Sequence, residues 1–263
     1  MTFPQIDPII FSIGPLQVRW YGMMYVLGFI ATITLVKYQI KKFDFKELEE
    51  NFDNLNLVLI ISLVLGGRLG YVFFYNFSYY IQNPSQILAT WQGGMSFHGG
   101  LLGVLIGALI FCRKKGLDFW RVTDMYTVTI PIGLGLGRLG NFINAELYGR
   151  VTNVTWGMVF PGGGPLPRHP SQLYEAFLEG VVLFILLWIL KEKQKPPSLW
   201  AHGSMLAIFL ILYGIFRIII EFFREPDAHL GFLAGGMTMG QLLSSFMIIG
   251  GIALFLVRKK QAA

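Results

Sequence analysis

Long apolar runs separated by short polar connections form the main pattern of this sequence. A helix needs about 20 mostly apolar residues to cross a bilayer, and seven runs approach that length. The runs are Val18–Tyr38, Asp53–Tyr75, Met95–Phe111, Trp120–Leu139, Gln172–Leu190, Trp200–Phe223 and Met237–Val257. The pattern predicts an all-α integral membrane protein with seven transmembrane helices, in a single polytopic domain over residues 1–263.

The connections between these runs are too short for a soluble domain. The longest, 141–171, contains three consecutive glycines from Gly162 and three prolines before His169, a composition typical of loops. We therefore expect a small extracytoplasmic cap there. No basic residue precedes Arg19, and no short apolar segment with a small-residue cleavage site follows. We accordingly expect no cleaved signal peptide.

Lysine and arginine in the short connections predict the orientation, because cytoplasmic loops carry an excess of both. Fourteen of the 21 basic residues fall in alternate connections and at the C-terminal end. They are Lys37, Lys41, Lys42, Lys46, Arg113, Lys114, Lys115, Arg121, Lys191, Lys193, Lys195, Arg258, Lys259 and Lys260. This side is expected to be cytoplasmic, which puts the N-terminus outside and the C-terminus inside.

Composition supports the membrane interpretation and excludes other classes. The chain is 54% hydrophobic and only 14% charged, whereas soluble domains are usually about one-quarter charged. The net charge of +6 comes from dispersed short clusters, which argues against nucleic-acid binding. The single cysteine, Cys112, excludes an intrachain disulfide and any metal site built from several cysteines.

The seven basic residues outside the cytoplasmic set are all arginines. They are Arg19, Arg68, Arg138, Arg150, Arg168, Arg217 and Arg224. The predicted orientation places Arg68, Arg138 and Arg217 in the outer part of the bilayer, although a mid-membrane arginine costs about 2.5–3.5 kcal/mol. Planar guanidinium groups suit a two-point grip on phosphate or carboxylate. In the alternative interpretation, some of these arginines snorkel or pair with Glu146, Glu175 or Glu221.

The segment Ile130–Arg150 is the most informative stretch. It begins as an apolar, glycine-rich helix and then presents Arg138, Asn141, Asn144 and Glu146 within a few residues. Polar and ionisable groups at membrane depth are expensive and usually functional. We therefore expect a polar ligand at this position.

A second group lies on the sixth predicted span. Tyr213, Arg217, Glu221 and Arg224 are spaced by 4, 4 and 3 residues, so they share one face of a helix. Glu221 can orient the two arginines around an anion. An internal salt bridge is the plainer interpretation, but it leaves two arginines to one glutamate.

Three other residues allow two roles each. His98, in QGGMSFHGG at Gln92–Gly100, can be a general base or a structural histidine. Arg68, in GGRLG, binds a ligand or pairs internally, and Tyr21 is an interfacial belt residue or a headgroup ligand. Ser96 lacks the spacing of a serine-hydrolase nucleophile.

No metal-binding motif and no phosphate loop is present, so we expect no cofactor. The four histidines are scattered along the sequence. If the protein catalyses a reaction, we therefore expect the free energy that drives it to come from the substrate itself.

At this point the residues resemble a known family. GRLGNFINAELYG, at Gly137–Gly149, resembles the signature of prolipoprotein diacylglyceryl transferases, bacterial enzymes that attach diacylglycerol from phosphatidylglycerol to lipoprotein precursors. Further matching segments cover nearly the whole chain. They are Arg19–Gly22, Phe97–Gly100, His169–Glu175 and Tyr213 through Arg224.

The resemblance implies a site in which a lipid phosphate leaves as a lipobox cysteine thiol takes its place. It implies that Arg138 with Asn141 holds the headgroup and that Arg217, oriented by Glu221, stabilises the departing phosphate. The remaining implied site residues are Tyr21, Arg68, His98, Asn144, Glu146, Tyr213 and Arg224. His98 would be the general base that deprotonates the thiol. It would be structural if the electrostatic field of the arginines is enough to favour the thiolate.

The resemblance also implies the partners and the location. The partners would be phosphatidylglycerol, a prolipoprotein signal peptide and membrane lipids, with no nucleic acid. The location would be the bacterial cytoplasmic (inner) membrane, with the site toward the outer leaflet. Two alternatives remain: an arginine-lined transporter for anions or lipids, and a noncatalytic lipid-binding scaffold.

Overall fold

Helices dominate the computed structural model, which describes residues 1–14, 16–194, 200–226, 233 and 236–262. A short antiparallel hairpin, β1 (Ile9–Ile13) and β2 (Leu16–Arg19), precedes them, with Ile9 opposite Arg19. The α-helices are α1 (Trp20–Lys42), α2 (Lys46–Tyr75), α3 (Phe77–Gln82), α4 (Phe97–Lys115), α5 (Phe119–Thr127), α6 (Ile130–Ile143), α7 (Ser171–Glu175), α8 (Leu183–Leu190), α9 (Ser204–Glu221) and α10 (Met239–Ala262).

The chain divides into two compact units. Met1–Gln39 and Thr123–Ala263 form the first unit, and Ile40–Val122 forms the second. The first unit contains the hairpin, most of α1 and the helices from α6 onward. The second contains α2, α3 and α4. The single domain expected from the sequence stays a prediction.

Six helical stretches in the described part of the chain are long and apolar enough to cross a membrane. They are Trp20–Lys42, Lys46–Tyr75, Phe97–Lys115, Ser171–Gln194, Ser204–Glu221 and Met239–Lys260. They overlap six of the seven predicted spans and confirm a predominantly helical, multi-pass membrane protein.

The predicted span Trp120–Leu139 is not one continuous helix, because α5 ends at Thr127 and α6 begins at Ile130. The Thr129 amide and hydroxyl both donate to the carbonyl oxygen of Tyr126, at 2.9 and 2.7 Å. Pro131 follows in the first turn of α6, where its missing N–H is tolerated and its fixed φ suits a helix start. Apolar periodicity alone does not reveal this break, since the residues on both sides are hydrophobic.

The fifth predicted span is also irregular. A π-helical segment, Ala176–Val182, joins α7 to α8 without ending the helix. Gly180 within it packs against α6, where a Cβ added to Gly180 would lie 2.7 Å from the Cα of Gly135. The two backbones therefore touch, which brings the polar residues of α6 and α7 close together.

Glycines also govern the packing of the second unit. A Cβ on Gly70 of α2 would lie 2.7 Å from the Cα of Gly99 on α4, and one on Gly66 would collide with the carbonyl oxygen of Gly99. Small residues at such crossings let membrane helices approach closely and gain van der Waals contact. The glycines of GGRLG and FHGG thus join these two helices.

A buried aspartate secures the start of α9 in the first unit. The side chain of Asp124 is 2% exposed. Its Oδ2 accepts a hydrogen bond from the Gly203 amide at 2.6 Å, and its Oδ1 accepts one from the Leu206 amide at 3.0 Å. The side-chain amide of Gln194 donates to it as well. Asp124 therefore caps a helix distant in sequence, because first-turn amides have no partner within their own helix.

Replacing this cap should weaken the first unit. Asp124→Ala leaves the amides of Gly203 and Leu206 without an acceptor in a buried place, so the free energy of unfolding should fall by about 3 kcal/mol. Unfolding in detergent, followed by tryptophan fluorescence, measures the change. Glu50→Ala, an exposed position on α2, is the control and should change it by less than about 0.5 kcal/mol. Equal effects of the two substitutions would contradict the capping role.

Candidate active site

The buried carboxylate of Glu175 joins two arginines from different helices. Arg138 of α6 places its Nε 2.8 Å from Glu175 Oε2, and Arg217 of α9 places its Nη1 2.9 Å from the same oxygen. The side chain of Glu175 is fully buried, whereas that of Arg138 is 21% exposed. A charge taken out of water needs an opposite charge with good hydrogen bonds. Each of these three side chains lies within 2.9 Å of a group of opposite charge.

Arg217 contacts two further carboxylates. Its Nη2 lies 2.7 Å from Glu221 Oε1, and its Nη1 lies 3.7 Å from Glu179 Oε1. Glu221 Oε1 also lies 3.7 Å from Arg224 Nη1, and its Oε2 accepts a hydrogen bond from the Thr238 hydroxyl at 2.6 Å. Arg217 of α9 and Arg224 just after it are therefore not left to one glutamate, because α7 and the π-helical segment supply two more carboxylates to Arg217.

These side chains form one arginine–glutamate cluster. Its members are Arg138, Glu175, Glu179, Arg217, Glu221 and Arg224. The arrangement holds guanidinium groups from α6 and α9 in fixed orientations beside one another. Such a pair can bind a phosphate through several charge-assisted hydrogen bonds.

A branch of amides extends the cluster from Arg138. Arg138 Nη1 donates to Asn141 Oδ1 at 3.4 Å, and Asn141 Nδ2 donates to Glu146 Oε1 at 2.7 Å. Asn144 Nδ2 donates to the same oxygen of Glu146 at 3.4 Å. Ala145 adopts a positive φ of 54°, and this turn folds Glu146 back onto the end of α6. Four polar residues of the segment Gly137–Gly149 are thus connected in one hydrogen-bonded network.

The predicted cap is tied to this network through its backbone. Gln172 Nε2 donates to the carbonyl oxygen of Glu146 at 2.6 Å, and the Gly149 amide donates to that of His169 at 2.8 Å. Arg150 donates to the carbonyl oxygens of Glu221 and Arg224 at 3.1 and 2.8 Å. The cap therefore fixes the ends of α6, α7 and α9 together.

His169 of the cap lies in an aromatic environment rather than among the charges. Its Nδ1 is 3.1 Å from the Tyr174 hydroxyl, and its ring packs edge-on against Phe223. Burial lowers the pKa of His169 below its ordinary value, because a desolvated imidazole is less easily charged. This contact helps to hold the cap on α7 and α9.

The two predicted tyrosines also lie in the first unit. The ring of Tyr21 packs against Gly140 of α6, where an added Cβ would lie 2.8 Å from its Cδ2, and its hydroxyl is 3.1 Å from that of Tyr25. Tyr213 stacks on Phe209 and interacts electrostatically with Arg217 and Arg138. The first unit therefore holds every sequence-predicted site residue except Arg68 and His98.

Arg68 belongs to the second unit and is 2% exposed. Its guanidinium donates to the carbonyl oxygens of Gln86 and Ile87 at 2.7 Å each, and to those of Gly93 and Gly94. It also lies 5.1 Å from the ring centre of Tyr80. In the structure Arg68 holds the loop after α3 through four hydrogen bonds; binding of substrate by Arg68 stays a prediction.

His98, also in the second unit, occupies the first turn of α4 and is exposed. Ser96 begins that helix, with its hydroxyl accepting a hydrogen bond from the Gly99 amide at 3.2 Å. The ring of His98 packs edge-on against Phe97 at 5.6 Å between centroids. Its assignment as a base stays a prediction.

From the sequence, Glu175 is one of several possible ion-pair partners and one of the residues at the start of the fifth span that line the same cavity or cap that helix, whereas Glu179 is not identified. A signal for both was present, since two glutamates one turn apart open a strongly apolar run, and ionisable residues within spans face inward and pair. In the described part of the chain, no group of three or more His, Cys, Asp or Glu residues is placed to hold a metal ion.

Comparisons with known proteins agree on one family. Residues 8–257 match the family model described as prolipoprotein diacylglyceryl transferase. Relatives named phosphatidylglycerol–prolipoprotein diacylglyceryl transferase occur in Desulfotalea psychrophila (61% identical, over 99% of this chain and 96% of the relative) and Geobacter sulfurreducens (50%, over 97% and 96%). One from Pseudoalteromonas atlantica is 51% identical over 100% of this chain and 93% of its own length.

The structural role of Arg68 predicts a local effect of Arg68→Lys. One ammonium group cannot reach the four carbonyl oxygens that the planar guanidinium spans, so the loop should open more often. Amide hydrogen exchange of residues 83–94 should accelerate by about tenfold or more. Arg113→Lys, at an exposed position on α4, is the control. Unchanged exchange together with weaker lipid binding would favour the substrate-binding role instead.

Proposed function

Because the chain belongs to the prolipoprotein diacylglyceryl transferase family, we propose that it transfers the diacylglyceryl group of phosphatidylglycerol to the cysteine thiol of a prolipoprotein. The reaction forms a thioether, releases glycerol phosphate and is the first step of bacterial lipoprotein maturation. The observation that carries the site assignment is the meeting of Arg138 and Arg217 on the buried Glu175 carboxylate. The transporter alternative gains no support from these relatives, which are named as transferases.

The chemistry requires a leaving group that can accept charge. The thiolate is the reactive form of the cysteine, and an ordinary thiol has a pKa of about 8.5. When the glycerol carbon–oxygen bond breaks, the phosphate gains negative charge. Fixed guanidinium groups in a site without water stabilise such charge with little reorganisation. In this proposal Arg138 holds the headgroup and Arg217 stabilises the departing phosphate, as the resemblance to the family implies.

The polar residues around the pair then shape the pocket. Asn141, Asn144 and Glu146 form the branch that begins at Arg138, and their oxygens and amides suit the hydroxyl groups of a glycerol headgroup. Glu221 orients Arg217. In this proposal Tyr21, Tyr213 and Arg224 border the same pocket; binding of substrate by Arg68 stays a separate prediction. The acceptor is the lipobox cysteine in a precursor's signal peptide.

The seven-span topology belongs to the same proposal. Helices α5 and α6 run from Phe119 to Ile143 with one break, and together they exceed the roughly 20 residues that one crossing needs. The lysine and arginine bias then gives an outside N-terminus and a cytoplasmic C-terminus. The site would face the outer leaflet of the bacterial inner membrane, where prolipoproteins and phosphatidylglycerol meet.

Removing either arginine should abolish turnover. Purified protein with phosphatidylglycerol and a lipobox peptide should form the thioether, detected by its mass. Arg138→Ala and Arg217→Ala should each lower kcat by about 1000-fold, in line with the loss of one charge-stabilising donor. Arg217→Lys should lose most of the activity of the unaltered protein while still binding lipid. Arg113→Ala, on the opposite end of α4 from His98, should retain normal turnover. Near-normal rates in both alanine variants would disprove this site assignment.

The pH dependence of kcat distinguishes a role of His98 as a general base from a structural role. If His98 removes the thiol proton, His98→Gln should lower kcat by about 100-fold or more near neutral pH. Raising the pH should restore part of the rate, because the thiol then ionises without a base. His202→Gln is the control, since His202 lies just before the start of α9, at the opposite end of that helix from Glu221. A change of less than about twofold across pH 6.5–9.5 would make His98 structural.

A further inference from the structure

Glu179 is the member of the arginine–glutamate cluster with the least satisfied carboxyl group. Its side chain is fully buried, and neither Oε1 nor Oε2 has a hydrogen-bond partner in the described part of the chain. By contrast, Glu175 Oε2 accepts from two guanidinium groups, and both oxygens of Glu221 have partners. An ionised carboxylate loses most when it is buried without hydrogen bonds.

Charged and titratable groups approach Glu179 from three neighbouring segments. Arg217 and Tyr213 come from α9, Arg138 from α6, and Glu175 from the turn before it. The attraction of Arg217 at 3.7 Å is opposed by the like charge of Glu175. Protonating Glu179 would weaken only the longest of the three carboxylate contacts of Arg217, at 3.7 Å, whereas protonating Glu175 or Glu221 would weaken one at 2.9 or 2.7 Å.

The charge balance of the cluster determines what happens when an anion arrives. With all groups ionised, three arginines face three glutamates, so the cluster carries no net charge to attract a phosphate. A phosphodiester brings one negative charge into a place of low dielectric constant, where uncompensated charge is unfavourable. One added proton would restore the balance without moving any helix.

We propose that binding of the phosphatidylglycerol phosphate is coupled to uptake of one proton by the Glu179 carboxylate. Glu179 is then a positioning residue, which gives Arg217 a neutral neighbour and frees its charge for the lipid phosphate. The step is a simple acid–base equilibrium: water outside the site supplies the proton on binding, and the proton returns when the anionic product leaves. This inference rests on the proposed function, because it takes the lipid phosphate as the anion.

Calorimetric titration of the full chain in a neutral maltoside detergent tests the proposal. The probe is dihexanoyl phosphatidylglycerol, whose phosphodiester keeps a single charge between pH 6 and 9, so protein groups alone can link its binding to pH. The Kd should rise with pH, by about tenfold per unit where one proton is fully coupled. Titrations in two buffers with different ionisation enthalpies should report about one proton taken up per lipid.

The variants assign that proton to Glu179. Glu179→Gln imitates the protonated group and should show a Kd that changes by less than about threefold from pH 6 to 9, with about zero protons taken up. Glu179→Asp retains a carboxyl group and should restore the pH dependence. Glu225→Gln removes a partly exposed carboxylate that pairs with Arg168 and should behave as the unaltered protein does.

Two results would overturn the proposal. The first is a pH-independent Kd with no proton uptake in the unaltered protein, a measurement that does not depend on whether any variant folds. The second is a Glu179→Gln protein that keeps the full pH dependence. Thioether formation is assayed separately, so failure of transfer would disprove the proposed function, whereas either result above would disprove only the proton coupling.

Discussion

The first unit depends on one constraint, which is that a guanidinium inside an apolar helix must meet a carboxylate. Arg138 and Arg217 satisfy it on a single oxygen of Glu175. Because the three residues come from α6, α7 and α9, the ion pairs also fix how these helices face one another. Removing one partner of such a buried ion pair leaves an uncompensated charge. The same ion pairs therefore determine both the packing of this unit and the electrostatics of the proposed site.

Backbone irregularities bring the charges within reach of one another. The π-helical segment after Glu175 and the contact between Gly135 and Gly180 let α6 lie directly against the fifth span. π-helical insertions frequently occur at functional sites. At the other end of α6, the left-handed Ala145 turns Glu146 back toward Asn141. Regular helices would carry the same side chains in different directions.

The sequence predicts six of the spans, the family and the polar residues at the end of α6 well, because each depends on local pattern or on a contiguous motif. It names Glu175 and Glu221 as possible partners of the arginines, but it does not predict which arginine each one contacts, and it does not identify Glu179. Glu175 and Glu179 are far from Arg138 and Arg217 along the chain, and no periodicity links them. The sequence also does not predict the break before α6, since Thr129 marks it through the hydrogen bonds of its amide and hydroxyl to the carbonyl oxygen of Tyr126. For Arg68 the sequence allows both a ligand-binding and an internal role, and in the structure carbonyl oxygens of a loop in its own unit accept hydrogen bonds from its guanidinium.

The contact between the cluster and the residues at the start of α10 has a consequence for biosynthesis. The Thr238 hydroxyl binds Glu221, and Gly240 at the start of α10 lies so close to that carboxylate that an added Cβ would be 2.5 Å from it. Thr238 follows Glu221 along the chain, so Glu221 stays without this hydroxyl partner until the segment beyond α9 has been synthesised and has packed. A chain terminated before Thr238 would therefore lack this ligand of Glu221 and would leave the arginine–glutamate cluster incomplete.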